Sequence, residues 1–366
     1  ATMVVGRTAT YGTASGWWHR PGEKMGPIFG RPALPIVWDF AEVNPFVEAT
    51  GGYSGALEWV ARVIETTACC NLKPGQVSQA DACTSPLPNE AVSVWFTDPP
   101  YYDAIPYSDL SDFFYALFRR IMPEHPLLRN PFEPGAALTP KCAEIVQDEV
   151  KNSTDGGKKD RSFFEDRIAI AFAESRRILH PDGIGSVVFA HKTTEGWEAL
   201  LGGLIRGGWV ITGSWPITTE MQVRLRARES AALSASVHLV CRPRPEDAPI
   251  GDWGEVLREL PKRVGYWMER LQDEGIRGAD LVFACIGPAL EIYSRYSRVE
   301  TADGSEVKLA EYLEKVWEVV GRTALEQILG TADLPALSDR QAGGVLEEDA
   351  RLTALFLWTL QSTNGQ

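Results

Sequence analysis

An acidic residue, two prolines and a tyrosine follow one another directly after an apolar run: Asp98-Pro99-Pro100-Tyr101 comes after residues 92–96 (VSVWF). Neither proline has an N–H group, so a strand ladder cannot continue there and the backbone carbonyls are left as free acceptors. A carboxylate, rigid carbonyls and an aromatic ring suit a planar group that carries an exocyclic amine. Asp98 and the Pro99 carbonyl would accept the two amino protons, and Tyr101 would stack on the ring. These bonds would orient the nitrogen lone pair toward an electrophile and stabilise the positive charge that develops on nitrogen. The alternative is a structural turn in which Asp98 caps a helix.

Apolar runs and amphipathic stretches alternate along the chain from residue 34. Helical spacing of apolar residues predicts helices over 55–65, 162–179 and 194–208. Short apolar runs predict strands over 92–96, 185–191, 209–215 and 234–243. Near-continuous apolar strands that alternate with helices are typical of a parallel, doubly wound α/β sheet. Such sheets bind ligands at the carboxyl ends of their strands, which is where Asp98 is expected.

Three parts are predicted along the chain. Residues 1–33 are rich in Gly, Pro and aromatic residues and lack periodicity, which favours an irregular N-terminal arm. Residues 34–246 are predicted to form the α/β domain, with an insert near 120–160 that acts as a flexible lid or recognition element. The insert is placed there because residues 142–160 are polar and contain a Gly-Gly pair. Residues 247–366 are predicted to form a helical C-terminal extension.

The overall composition is that of an ordinary globular protein, with 366 residues, 44% hydrophobic and 23% charged. We find no apolar run of about 18 residues and no signal-peptide pattern, so a cytoplasmic protein without membrane contact is expected. The net charge of −13 means that any surface for a polyanion must be a local patch. The six cysteines form no CxxC pair, which predicts no metal site and favours reduced, mostly buried thiols.

The segment FTDPPYYDAIPYSDLSDFFYALFRR (96–120) resembles the bacterial adenine-specific DNA methylases whose members carry a zinc-ribbon segment. Its Asp-Pro-Pro-Tyr resembles motif IV of the S-adenosylmethionine-dependent amino-methyltransferases. Further stretches similar to the family's pattern are 29–46, 55–65, 186–201, 214–227 and 285–296. The resemblance implies a Rossmann-like methyltransferase sheet, S-adenosyl-L-methionine as cofactor and DNA as partner. It also implies methyl transfer to a DNA base, with adenine N6 favoured, in a restriction-modification or phage-defence setting.

The family's glycine-rich cofactor loop and its zinc-ribbon cysteines, which lie upstream in its members, are not found in this sequence. The nearest glycine cluster, from Gly51 to Gly55, precedes a predicted helix and is interpreted as a structural helix entry. We therefore expect the chain, which starts at Ala1, to be the C-terminal part of a longer protein. Its sheet would then be incomplete at the N-terminal end, and an upstream segment or a partner subunit would complete the cofactor site.

Asp81 is predicted to end a short strand in VSQADA, one strand before Asp98. Methyltransferases of this fold use an acidic residue at that place against the adenine amino group of the cofactor. A capping aspartate at a strand–loop junction is an equally good interpretation.

Candidate nucleic-acid contacts come from basic and aromatic residues. Arg224, Arg226 and Arg228 alternate after the third predicted strand and would track phosphates, and the basic run 158–161 is a second candidate. A solvated charged face is the alternative for both. Tyr102 would stack against a base that has been flipped out of the duplex.

The sequence thus predicts a DNA (adenine-N6)-methyltransferase in which Asp98, Pro99, Pro100 and Tyr101 bind the flipped base and Asp81 contacts S-adenosyl-L-methionine. One alternative is a non-catalytic DNA- or partner-binding module, which the missing cofactor loop and the acidic net charge favour. A second alternative is an amino-methyltransferase that acts on RNA, since enzymes with other acceptors use a similar turn.

Overall fold

A computed structural model of the chain describes residues 2–29, 37–38, 40–41, 43–48, 52–70, 73–102, 105–130, 132, 135–189, 194–218, 235–276, 281–282 and 284–329. The described helices are α1 (Thr2–Tyr11), α2 (Tyr53–Cys69), α3 (Tyr107–Ile121), α4 (Arg161–Ile178), α5 (Thr194–Arg206), α6 (Trp253–Asp273), α7 (Ile286–Ser294) and α8 (Leu309–Leu329). The described strands are β1 (Trp18–His19), β2 (Lys24–Met25), β3 (Val92–Thr97), β4 (Asp148–Asn152), β5 (Lys158–Lys159), β6 (Leu179–Phe189), β7 (Trp209–Thr218), β8 (Ala235–Pro243), β9 (Gly251–Asp252) and β10 (Val299–Glu300).

The chain forms two compact units. The first comprises residues 1–80 and 103–160, and the second comprises residues 81–102 and 161–366. The three-part organisation expected from the sequence stays a prediction. Among the described helices, none is both long and apolar enough to cross a membrane.

The second unit contains a four-stranded sheet in the order β3-β6-β8-β7. β3 and β6 are parallel, whereas β8 is antiparallel to both β6 and β7. The fold is therefore α/β with a mixed sheet, and the prediction of a parallel sheet was wrong for β8. A short apolar run predicts a buried strand but does not specify its direction. Because β3, β6 and β7 run the same way, their carboxyl ends lie at one edge of the sheet.

The two faces of this sheet differ in burial. On one face, side chains such as Val187, Leu239 and Ile211 are fully buried beneath helices. On the other, Val94 is 66% exposed and Phe96 is 62% exposed. We call this second surface the open face. Burying an apolar side chain of this size contributes roughly 1.5–3 kcal/mol, so the exposed Val94 and Phe96 forgo a substantial stabilisation, whereas Val188 on the same face is 7% exposed.

The buried face is built around two stacked tryptophans. The rings of Trp95 and Trp209 lie 5.0 Å apart and are nearly parallel, and the Trp209 indole N–H donates to the Phe172 carbonyl of α4 at 2.9 Å. Gly185 of β6 lies against both rings, since a Cβ there would come within 2.7 Å of Trp209 and 3.1 Å of Trp95. The absence of a side chain at Gly185 thus allows the stack that packs β3 against β6, β7 and α4.

Most predicted helices and strands are confirmed, with shifts at their ends. Helix α4 (Arg161–Ile178) and helix α5 (Thr194–Arg206) match their predicted spans closely, and α8 (Leu309–Leu329) lies in the predicted helical extension. β6 begins at Leu179, earlier than predicted, because residues 180–183 bulge out between its first and later pairs with β3.

The N-terminal residues are more ordered than the sequence indicates. An irregular arm over 1–33 was predicted, but residues 2–11 form α1 and a short antiparallel hairpin, β1–β2, follows. Val4 is fully buried, and a Cβ on Gly6 would lie 3.2 Å from Phe118 of α3. Tertiary packing, which local periodicity does not reveal, stabilises this helix.

The segment predicted to be a flexible loop, 142–160, forms a hairpin in the first unit. β4 pairs with β5 in antiparallel fashion, and Glu144 accepts hydrogen bonds from the Ser108 backbone N–H (2.9 Å) and hydroxyl (2.6 Å). Lys159 is fully buried and donates to the Lys141 carbonyl at 2.8 Å. A buried lysine with an internal acceptor is not placed to contact a phosphate, so this structure does not support Lys159 as part of a DNA-binding patch.

We predict that Gly185→Ala lowers the free energy of unfolding by about 1–3 kcal/mol, because the new Cβ must displace the Trp95–Trp209 stack. The matched control is Gly265→Ala in α6, where a Cβ meets open space. Alanine is a better helix former than glycine, so the control should leave stability unchanged or raise it by up to about 1 kcal/mol. Chemical denaturation followed by tryptophan fluorescence measures both changes. Equal midpoints for the two variants would contradict the proposed role of Gly185.

Candidate active site

The Asp-Pro-Pro-Tyr turn lies where the sequence places it, directly after β3 at the carboxyl edge of the sheet. β3 ends at Thr97, and Asp98 is exposed and has no hydrogen bond or ion pair with any described residue. Pro99 is buried, and no donor among the described residues reaches its carbonyl. A donor on a ligand could therefore pair with this carbonyl. The turn thus presents oxygen acceptors on two consecutive residues.

An aromatic side chain packs on Tyr101, the tyrosine that follows the two prolines. The Tyr101 ring packs edge-to-face on Phe189, the last residue of β6, with 5.7 Å between centroids. Phe189 in turn packs edge-to-face on Trp197 of α5 at 5.0 Å, and both residues are buried. The partly buried Tyr101 ring thus packs on a buried phenylalanine that is itself held by Trp197. Sequence reasoning missed Phe189 and Trp197, although Phe189 falls near the end of a predicted strand.

Tyr102 has a different environment from the one predicted. It is 8% exposed and packs edge-to-face on Phe164 of α4, with 5.1 Å between centroids. A buried ring offers no free face for a nucleobase, so this geometry favours a packing role for Tyr102.

Asp81 lies in a tight turn and not at the end of a strand. Residues 73–80 have no regular secondary structure, and Asp81 forms an isolated bridge with Thr84. Its Oδ1 accepts the Cys83 backbone N–H at 2.8 Å, and its Oδ2 lies 3.5 Å from the Arg167 guanidinium. No described strand pairs with residues 73–80, so the strand predicted before Asp81 is not seen there. Both carboxylate oxygens have partners within the chain, which favours the capping interpretation of Asp81.

The Asp81 turn also holds a thiol in its neutral form. Burial raises the pKa of Cys83 to about 11, although the positive charge of Arg167 opposes that shift. The Cys83 Sγ lies 3.6 Å from the Arg167 carbonyl. A thiol with so high a pKa is a poor nucleophile at neutral pH, so Cys83 contributes to packing.

A pair of residues on α4 clamps the segment that leads into β3. Glu174 accepts the Ser85 backbone N–H at 2.7 Å and a hydrogen bond from Arg177 at 2.7 Å. Arg177 also donates to the Leu87 carbonyl at 2.9 Å, and its own carbonyl accepts the Glu90 N–H at 3.0 Å. The hydrogen bond from Arg177 lowers the pKa of Glu174 to about 2, so Glu174 is ionised under ordinary conditions. The i,i+3 spacing of this pair on a predicted helix was the available sequence signal.

One face of α4 connects Asp81 with the end of the Asp-Pro-Pro-Tyr turn. Phe164 contacts Tyr102 and Arg167 contacts Asp81, and residues three apart on a helix are neighbours on its surface. The segments before and after β3 are therefore held by the same helix.

The structure does not place the other predicted residues at this site. Arg224, Arg226 and Arg228 lie outside the described residues. Gly52 is the N-cap of α2 in the first unit, with an extended backbone, as the helix-entry interpretation predicts. Gly51 lies outside the described residues.

The described residues fit an amino group better than they fit the predicted cofactor. Asp98 and the Pro99 carbonyl are free acceptors, whereas Asp81, the residue expected to bind the cofactor's adenine, is engaged by Arg167 and Cys83. Gly52 of the glycine cluster is the N-cap of α2. The contacts of Asp81 and Gly52 thus give no support to their use in a cofactor site.

Comparison with known proteins adds no relative. No protein-family model matches the chain, and no curated protein or solved structure matches it at a significant level.

We predict that Glu174→Gln lowers the stability of the chain at neutral pH, because it removes the charge that holds Arg177 and Ser85. The folded-state pKa of Glu174 is lowered to about 2, so its stabilisation is present above the unfolded value of about 4.3. It is lost as the pH falls from there through the folded value. Unfolding free energies between about pH 2 and 7 should thus show a difference between wild type and variant that shrinks toward low pH.

The control for this measurement is Glu269→Gln, an exposed glutamate of α6 without an ion pair among the described residues. This variant should follow the wild type throughout the pH range. If the difference in unfolding free energy between Glu174→Gln and the wild type stayed constant with pH, the charge of the Glu174 carboxylate would not be what holds Arg177 and Ser85.

Proposed function

We propose that this chain is the base-binding part of an S-adenosylmethionine-dependent DNA amino-methyltransferase that acts on adenine N6. The observation that carries the proposal is the pair of free acceptors, the Asp98 carboxylate and the Pro99 carbonyl, in the same turn as Tyr101. The α/β sheet with three co-directional strands is compatible with a Rossmann-like methyltransferase sheet, and the resemblance of residues 96–120 supports the same assignment.

The chemistry follows from the type of each acceptor. An exocyclic amine has two protons, and the two acceptors take one hydrogen bond each, which leaves the nitrogen lone pair directed away from the turn. As the nitrogen becomes an ammonium during attack on an electrophile, the negative charge of Asp98 stabilises it most strongly. The proton that the product must lose passes to Asp98 or to water. A base inside a duplex cannot reach such a turn, so the nucleotide must leave the stack first.

The cofactor site is assigned to residues other than those described. Since Asp81 is held by Arg167 and Cys83, we propose that an upstream segment or a partner subunit completes the S-adenosyl-L-methionine site. Arg224, Arg226 and Arg228 remain proposed phosphate contacts.

We predict that Asp98→Ala abolishes methyl transfer, with a loss of at least about 100-fold, because the growing positive charge loses its counter-charge. Labelled S-adenosylmethionine is supplied with DNA, RNA or protein as acceptor, and the chain is assayed alone and with an extract of its source cells. The quantity compared is the methyl transfer that depends on the added chain. The control is Asp247→Ala, an exposed aspartate far along the sequence from the turn. Unaltered transfer by Asp98→Ala would contradict the proposal, and transfer to RNA or protein alone would replace DNA as the substrate.

We predict that calorimetric titration of S-adenosylmethionine into the 366-residue chain gives no saturable heat, because Asp81, the predicted cofactor contact, is held by Arg167 and Cys83. The chain's far-ultraviolet circular dichroism serves as the check on folding. Micromolar binding by the chain alone would contradict the requirement for a completing segment.

A further inference from the structure

The open face of the sheet carries ring side chains in one row with Asp98. Thr97 is level with Val187, and the next residue of β6, Val188, pairs with His238. His238 in turn pairs with Trp215 of β7. Asp98 directly follows Thr97, so it lies at the level of His238 and Trp215. Three inter-strand spacings of about 4.8 Å separate Asp98 from Trp215, which is about 14 Å.

Four rings form this row, and we call Phe96, His238, Trp215 and Trp267 the aromatic row. The Phe96 and His238 rings lie 6.0 Å apart, and Trp215 packs edge-to-face on Trp267 of α6 at 5.9 Å. Phe96 is 62% exposed, and the other three rings are partly exposed. Trp267 also contacts Tyr266, with 6.3 Å between centroids, so the ring area available to a ligand is largest at Phe96.

An arginine extends the aromatic row and supplies a positive charge. The Arg270 guanidinium lies over the Trp267 ring at 5.0 Å and is exposed. It has no carboxylate partner among the described residues, in contrast to Arg263, which is paired with Glu291. A guanidinium held flat on an aromatic ring keeps its N–H groups available in the ring plane, where they can bind phosphate.

We propose that the aromatic row with Arg270 binds an unpaired polynucleotide strand, the one that flanks the base held at Asp98. Aromatic side chains on a β-sheet surface stack successive bases of single strands, and each stacked base contributes roughly 1–3 kcal/mol. The row and Arg270 thus match the two chemical features of such a strand, planar bases and phosphate charge. This inference rests on the proposed function, because it names the substrate strand of the same site.

An aliphatic protein partner fits the observations less well. A surface that buries aliphatic side chains needs no unpaired guanidinium, and leaving Arg270 without an anion beneath a protein would be costly. The charge complementarity of Arg270 with phosphate therefore favours the polynucleotide.

The test is binding of a fluorescent 12-nucleotide oligothymidylate to the whole chain, followed by anisotropy without cofactor. Phe96→Ala and Trp267→Ala should each weaken binding roughly 5- to 100-fold. Arg270→Glu should weaken binding and reduce the dependence of the affinity on salt. The matched control is Trp59→Ala, which removes a 60% exposed tryptophan of α2 in the first unit and should bind as the wild type does. Because Phe96 is largely exposed, its alanine variant is expected to fold.

The outcomes separate this inference from the proposed function. Wild-type binding by both Phe96→Ala and Trp267→Ala, duplex binding as tight as single-strand binding, or no oligonucleotide binding at all would overturn the inference. An oligouridylate arm identifies the source of the strand, since tighter binding of RNA would support the aromatic row and assign it to RNA. Thymine has no exocyclic amine, so binding of oligothymidylate does not require the acceptors of the turn, and failure of the methyl-transfer prediction alone would overturn only the proposed function.

Discussion

The parallel pairing of β3 with β6 is the constraint on which the candidate site depends. It sets Thr97 level with Val187, so that the turn after β3 emerges beside Phe189, where β6 ends. Two prolines then prevent a ladder from continuing past Asp98, because neither can donate a hydrogen bond. The glycine at position 185 allows the Trp95–Trp209 stack that fixes β3 in this register. A slip of one residue would move Asp98 to the opposite face and bury an unpaired carboxylate, which makes the register costly to change.

Helix α4 determines where both ends of β3 lie. Its last turns hold the entering segment through Glu174 and Arg177, and its first turns hold the leaving segment through Phe164. Each partly exposed ion pair contributes little, about 0–1 kcal/mol, but the hydrogen bonds to backbone groups are specific in position. The strand is thus positioned by contacts at both ends that use neither the Asp98 carboxylate nor the Pro99 carbonyl. Rigid acceptors do not have to reorganise when charge develops, which is the physical advantage of placing them on a clamped turn.

The sequence predicted the structure best where residues close together in the chain determine an element without distant contacts. The apolar run before Asp98 and the amphipathic pattern of α4 were sufficient to predict both elements, and the two prolines were sufficient to end β3 at the right residue. Features that depend on distant contacts were not predictable in the same way. The direction of β8 is set by its neighbours, and α1 forms because Val4 is buried.

At the candidate site, the sequence predicted the position of the turn better than it predicted the contacts of the individual residues. Asp98, Pro99 and Tyr101 lie in the turn that follows β3, whereas Tyr102 is buried and Asp81 is bound to Arg167. Nothing local in the sequence indicates that Tyr102 packs on Phe164, because the two residues are 62 positions apart and meet only through the sheet. The local sequence also does not distinguish a carboxylate at the end of a strand from a carboxylate that closes a turn, because the arginine that pairs with Asp81 lies on a later helix.

The acidic character of the chain bears on how a polyanion could reach this site. With a net charge of −13, the overall field repels phosphate, and the exposed Asp98 adds a local negative charge at the edge of the sheet. Attraction must then come from short-range contacts that do not require a positive field. Stacking on ring faces meets this condition because it is insensitive to net charge, and a single guanidinium on Trp267 can supply a local phosphate contact. The negative charge of Asp98 becomes useful once the strand is held, because it attracts the amino group of a base and repels phosphate. In the proposed function, the base and not the backbone would therefore be the part of the strand that enters the turn.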